Sequence, residues 1–282
     1  MMPMSPDQIP YLDFDGRGPV LHFAHANSYP PGCYRQLLQA LAPRFRVLAM
    51  QHRPLWPGSQ PESMTDWRIM GDDLIRFMDQ HELRGVYGVG HSMGAVASLY
   101  AGIKRPDLFS ALVFIEPVFF APDVLHAIGA QAHGDLLHDF PLVRTALNRR
   151  AHWPSRAAAF SHLRPKRVFA RLSDAALWDY VNYGLHQDET GQVVLSYPAA
   201  WEARVYSLPP TDVWDLLPRL TMPVLAVRGE ETDTLMPPAW TLWQQLQPQA
   251  TFRELADADH LLPFSHPQRL AQIILDFAPP TA

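Results

Sequence analysis

The stretch GVYGVGHSMGAVAS, from Gly85 to Ser98, runs an apolar β-rich segment straight into a helix of small residues, with Ser92 at the junction. Val86–Gly90 reads as a strand and Met93 onward as a helix. The join, Gly90-His91-Ser92-Met93-Gly94, has the form G-x-S-x-G. A strand-to-helix turn that tight forces Ser92 into a strained backbone conformation and excludes bulk two residues to either side. Gly90 and Gly94 meet that demand, and Ala95 and Ala97 let the helix lie close to the sheet. This is the context of a nucleophile elbow, which holds a serine hydroxyl out at the edge of a sheet. The bland alternative is a glycine-rich turn with an incidental serine.

Working outward, strands and helices alternate. VLHFAH (Val20 to His25) is an apolar run, and Tyr34, Leu37, Leu38 and Leu41 then fall at i, i+3, i+4, i+7. FRVLAM (Phe45 to Met50) reads as a strand, and Trp67, Met70, Leu74, Phe77 and Met78 line one helix face. ALVFIEP (Ala111 to Pro117) is a further strand. The rhythm resumes with MPVLAVRG (Met222 to Gly229), a helix around AWTLWQQL, the strand ATFREL and a last helix bearing Leu270, Ile273, Ile274 and Phe277. Ser265 and Gln268 have capping-box spacing ahead of that helix. Strand–helix repetition predicts parallel strands with crossover helices, an α/β fold. The near-continuous apolar strands predict a sheet covered on both faces.

Between the two halves, residues 118–210 are helical and irregular, with a hairpin suggested near DETGQVVLSY. The expected organisation is therefore a core of 1–117 and 211–282 with 118–210 inserted as a cap.

A serine hydroxyl needs a base. In the elbow arrangement the chain order is serine, acid, histidine. His260, in ELADADHLLPFSHP, follows the last expected strand and so falls at the carboxyl edge with Ser92; His266, before a proline, reads as structural. The acid is expected at Asp233, in the loop after Val224–Val227. Glu116, at the end of an earlier strand, and Glu230 and Glu231 are the alternatives, while Asp257 and Asp259 are too near His260 in sequence to reach around its ring. Two backbone N–H donors must hold the oxyanion. Met93, after the serine, and Asn27, in His25-Ala26-Asn27-Ser28 after the first long strand, are the candidates; ordinary turn chemistry is the competing account of that Asn.

These segments together resemble an α/β-hydrolase fold serine hydrolase. GVGHSMG stands as the elbow, FAHAN in place of the common His-Gly-x oxyanion segment, RGEETDTLMPP as the acid loop and DADHLLPFSHP as the histidine loop. The chain departs from the family pattern in Ala26, where glycine is usual, and in an acid loop one residue longer than Gly-x-x-Asp. The resemblance implies a mostly parallel α/β-hydrolase sheet flanked by helices, with a mainly helical cap. It also implies hydrolysis of small to medium carboxylic esters through an acyl-enzyme. C–C bond hydrolysis, lactone hydrolysis, acyl transfer and a catalytically silent ligand-binding scaffold are the other uses of the same fold. Serine rather than aspartate at the elbow favours acyl chemistry over attack on haloalkanes or epoxides.

Other signals are weaker. His126, His133, His138, Asp135 and Asp139 do not follow a metal-ligand spacing and read as polar surface, so neither a metal nor a cofactor is expected. Trp153, Phe160, Phe169, Trp178, Tyr180, Tyr183, Trp201 and Tyr206 are read mainly as packing of the cap, with two or three facing substrate. The single cysteine, Cys33, rules out an internal disulfide and reads as a small packing residue. In a chain of 282 residues with 48% hydrophobic and 18% charged residues, a net charge of −5 gives no reason to expect nucleic acid or an anionic membrane as partner. No segment has the length of a signal or membrane span. The expectation is a cytoplasmic monomer or homodimer acting on a small molecule.

Overall fold

Phe109–Ile115 shows why the core forms as it does. From Ala111 onward its alternate positions are buried alike: Leu112 and Phe114 pack on one side, Ala111, Val113 and Ile115 on the other. Side chains alternate along a strand, so a run apolar at nearly every position must be covered on both faces. In the computed structural model, which describes residues 8–131 and 140–278, that strand lies inside a seven-stranded sheet. Truncating a side chain such as Phe114 to alanine would cost about 3–5 kcal/mol.

The strands are β1 (Tyr11–Asp13), β2 (Val20–Ala24), β3 (Arg46–Met50), β4 (Val86–His91), β5 (Phe109–Ile115), β9 (Val224–Gly229) and β10 (Thr251–Leu255), ordered β1-β3-β2-β4-β5-β9-β10. All neighbours are parallel except the short edge strand β1, which runs antiparallel to β3 and has no sequence signal of its own. Helices α2 (Arg68–Gln80), α3 (Met93–Lys104) and α10 (Pro237–Leu246) bring Met70, Leu74, Phe77, Leu99 and Trp243 to one face. Helices α1 (Arg35–Leu41) and α12 (Pro267–Phe277) bring Leu37, Leu38, Leu41, Leu270 and Ile274 to the other. The fold is the α/β-hydrolase arrangement of a mostly parallel sheet flanked by helices.

Between β5 and β9 the chain forms helices α4 (Pro122–Gln131), α5 (Pro141–Asn148), α6 (Arg156–Leu163), α7 (Asp174–Tyr183) and α8 (Ala199–Tyr206). The expected hairpin is β7 (Leu185–Gln187) against β8 (Val193–Leu195), and β6 (His152–Trp153) adds a third antiparallel strand. Of the aromatics in this segment, Trp153 and Trp201 are fully buried packing residues, and Phe160 stacks on Trp178.

The short helices α9 (Val213–Leu216) and α11 (Leu262–Ser265) complete the description. The expected capping box at α12 does not form. Its N-cap is His266, and the Ser265 hydroxyl instead pairs with the His266 ring, 2.9 Å from Nδ1. The sharp entry after α11 moves the cap by one residue. Cys33 is buried, as a packing residue would be, and burial pushes its thiol pKa up. His133, His138, Asp135 and Asp139 lie outside the described residues.

Candidate active site

The carboxyl ends of five adjacent strands, β2, β4, β5, β9 and β10, deliver the residues of interest to one edge of the sheet. Ser92 follows β4 with φ 55° and ψ −117°, a conformation that non-glycine residues rarely hold. The two glycines explain how the turn closes. A Cβ on Gly94 would sit 2.1 Å from the Ala24 carbonyl oxygen, and one on Gly90 would sit 2.6 Å from Ala95 Cα. The backbone strain at Ser92 thus coexists with packing that only glycine permits on either side.

His260, in the loop between β10 and α11, is brought to the serine: Nε2 lies 3.1 Å from Ser92 Oγ. Its other ring nitrogen meets Glu116, not Asp233. His260 Nδ1 is 3.2 Å from Glu116 Oε2. Glu116 follows β5 directly, is fully buried, and takes a left-handed φ of 47° that turns its side chain along the sheet edge. Gly229 N–H donates to Glu116 Oε1 at 2.7 Å, and Thr232 Oγ1 donates to Oε2 at 2.5 Å. Thr232 Oγ1 in turn accepts from the Thr234 and Leu235 N–H groups at 3.1 and 3.2 Å. The carboxylate is therefore held by three donors, as a buried charge requires.

The side chain expected beside the His260 ring is Asp233, whereas the carboxylate that the ring meets is that of Glu116. The loop RGEETDTLMPP does wrap the acid position, but it contributes donors rather than the carboxylate. Thr232 occupies its inward position, and Asp233 is exposed, accepting a hydrogen bond from Thr234 Oγ1. Glu231 pairs with Arg171, and Glu230 accepts from Asp257 N–H at 3.4 Å. None of the three touches His260.

Since a carboxylate only accepts, the Glu116 contact puts the proton on His260 Nδ1 and leaves Nε2 to accept the Ser92 hydroxyl proton. The placement of His260 is itself anchored through the elbow. Tyr34 OH accepts from Ala26 N–H at 3.0 Å and donates to His91 Nδ1 at 2.8 Å. His91 Nε2–H then donates to the His260 carbonyl at 2.9 Å. The directions are forced at both ends, by an amide that only donates and a carbonyl that only accepts. Burial, reinforced by the neighbouring His260, holds the His91 pKa well below the usual histidine value, in keeping with this neutral tautomer. His91 thus ties the β2 loop, the elbow and the histidine loop together, a role its position in the motif did not reveal.

Asn27 and Met93 both border the serine's edge of the sheet. Among the described residues, neither backbone N–H has a hydrogen-bond partner. The loop at Ala26, where glycine is usual, is pinned by His25. Its Nδ1–H donates to the Ala26 carbonyl at 2.8 Å, and its Nε2 accepts from His52 N–H at 3.0 Å. Asn27 Nδ2 donates to the Glu202 carbonyl at 3.2 Å, so α8 rests on the loop after β2. The Glu202 side chain lies 2.7 Å from Arg149 Nη1. Neither Arg149 nor Glu202 was marked by any sequence motif.

Residues 23–273 match the alpha/beta hydrolase family, and the chain belongs to it. It is 25% identical over 268 residues to 2-(acetamidomethylene)succinate hydrolase of Mesorhizobium japonicum, covering 93% of this chain and 88% of that protein. The crystal structure of E-2-(acetamidomethylene)succinate hydrolase superposes with a TM-score of 0.81 at 21% identity, covering 95% of this chain and 94% of that one. A thioesterase domain from the curacin biosynthetic pathway superposes at 0.72, with 19% identity and 95% and 98% coverage. The family and these relatives mark the protein as a hydrolase. No helix among the described residues is long and apolar enough to cross a membrane.

Proposed function

We propose that the protein is a serine hydrolase that cleaves small, partly apolar carboxylic esters, with Ser92 as nucleophile, His260 as base and Glu116 as the acid that orients it. The observation that carries this reading is the continuous contact from Ser92 Oγ through the His260 ring to the buried Glu116 carboxylate. In this mechanism Nε2 takes the serine proton as Oγ attacks the carbonyl, and Glu116 stabilises the imidazolium that forms. The N–H groups of Asn27 and Met93 hold the negative oxygen of the tetrahedral intermediate. Protonated His260 then passes its proton to the leaving group, and water, activated the same way, releases the acid from Ser92. Residues 118–210 act as a cap over this edge of the sheet.

Amide hydrolysis by the same groups is the second reading. It is favoured by the relative named 2-(acetamidomethylene)succinate hydrolase, which matches nearly the whole chain. A panel of matched small esters, thioesters, lactones and amides tests both. Ser92→Ala should lower kcat/KM on every cleaved member by at least about 10³-fold while leaving the fold intact. Retention of more than about a tenth of the activity would overturn the assignment.

A further inference from the structure

Beside the catalytic edge lies a polar cluster that the proposed reaction does not use. Arg149, at the end of α5, and Glu202, on α8, form a largely buried ion pair at 2.7 Å. The rings of Tyr29 and Tyr180 pack against each other with centroids 5.5 Å apart. Burial first, and with it the nearby Glu202 charge, pushes the phenol pKa values of Tyr29, Tyr180, Tyr197 and Tyr206 up. The cluster sits on the loop after β2, since Asn27 bonds α8 and Glu202 interacts with Ser28.

Several of these buried groups are poorly paired. Arg149 Nε and Nη2, Ser28 Oγ, Asn27 Oδ1, Tyr197 OH and Glu202 Oε2 lack a partner in good hydrogen-bond geometry, although Glu202 lies near Ser28, Tyr180 near Arg149 and Tyr206 near Asn27 in looser contacts. Buried polar atoms are nearly always paired, because a bare one loses its hydration without a replacement partner. Such a concentration beside a catalytic serine calls for a ligand. The bare atoms also define its chemistry. Glu202 occupies the Nη1 side of the guanidinium, which leaves Nε and Nη2, the side-on fork whose two parallel N–H groups match the two oxygens of a carboxylate. The surrounding phenols and the serine hydroxyl are neutral donors that add to that preference.

We propose that this cluster is a substrate subsite, in which Arg149 receives a carboxylate carried by the molecule whose carbonyl Ser92 attacks. This rests on the serine-hydrolase reading above and narrows it to acyl compounds bearing a free carboxylate. Because Asn27 and Ser28 belong to the loop that in this reading also offers the oxyanion N–H, the carboxylate and the scissile carbonyl would be held by the same loop. Glu202 holds the guanidinium in place from the opposite side.

The test pairs half esters with neutral esters of the same length: monomethyl succinate and monomethyl glutarate against methyl butanoate and methyl pentanoate. For the wild type, kcat/KM should favour the half ester at least tenfold at one of the two lengths. Arg149→Met should cut that ratio at least tenfold. Because Arg149→Met leaves Glu202 buried without its partner, the Arg149→Met/Glu202→Gln double variant provides the same comparison with both charges removed. Calorimetry on the Ser92→Ala protein, where no turnover occurs, should show monomethyl glutarate binding at least tenfold more tightly than its primary amide analogue. Adding either Arg149 change should abolish the difference.

A wild type that treats acid and neutral esters alike, or a ratio unchanged by loss of Arg149, overturns the subsite. So does equal binding of the acid and the amide. If neutral esters are cleaved in a Ser92-dependent way while the carboxylate preference is absent, only the subsite falls. If monomethyl glutarate binds through Arg149 but no ester, thioester, lactone or amide is cleaved, the hydrolase reading falls instead.

Discussion

His260 Nδ1 lies 3.2 Å from Glu116 Oε2, although 144 residues separate them in the chain. The contact joins the ends of β5 and β10, with the β9 loop closing over it through Gly229 and Thr232. It makes Glu116 the group that sets the tautomer of His260.

Glu116→Gln therefore should lower kcat by about 10³–10⁴-fold, because an amide neither enforces the tautomer nor stabilises the imidazolium. Asp233→Asn should stay within about threefold of the wild type, since Asp233 is exposed and contacts Thr234. Steady-state kinetics on one ester with both purified variants gives the ranking, and the reverse order would return the acid to the β9 loop.

Tyr34→Phe removes the hydroxyl that accepts from Ala26 N–H and donates to His91. Two buried partners are left unsatisfied, so the variant should be destabilised by about 1–3 kcal/mol. Its kcat should fall about tenfold, because the His260 loop loses its tie to the elbow. Thermal unfolding and kinetics together check this. A variant with unchanged Tm and kcat would show the network to be incidental.

How far the sequence disclosed this site depends on whether a feature is local or spatial. Ser92 was legible because the elbow's demands fall within five consecutive residues, and Gly90 and Gly94 announce them. His260 was legible because it follows the last strand. Glu116 gives less signal along the chain than Asp233, because the histidine's partner depends on which of two neighbouring strand ends aims a side chain at it. That depends on the left-handed backbone at Glu116 and on Thr232 taking the inward place, neither of which has a pattern along the chain. The apolar strands and the amphipathic helices were read from periodicity, whereas β1 and β6 are too short to show one. Arg149 and Glu202 were invisible because their pairing arises only when α5 packs on α8.

Buried histidines should make the protein acid-sensitive. Burial lowers the pKa of His22 to about 3 and that of His25 to about 4, and holds those of His52 and His91 well below 6.5. Between about pH 4 and 6.5 the unfolded chain binds protons at these positions that the folded chain refuses. Stability from this source is complete above about pH 6.5 and declines as pH falls, by up to about 1.4 kcal/mol per pH unit for each histidine. Tm measured from pH 7.5 to 4.5 should drop steadily below pH 6.5. A Tm at pH 5 equal to that at pH 7 would contradict the neutral, buried state of these side chains.

If Ser92 is a nucleophile activated by His260, it should react with an electrophile that captures serine hydrolases. Intact-mass spectrometry after exposure to an alkyl fluorophosphonate tests it without knowledge of the natural substrate. The wild type should gain a single phosphonyl adduct, mapping to the peptide that contains Ser92. His260→Ala should slow its formation by at least about 10²-fold, and Ser92→Ala should abolish it. An adduct that persists in folded Ser92→Ala protein, or a wild type that never labels, would contradict the account.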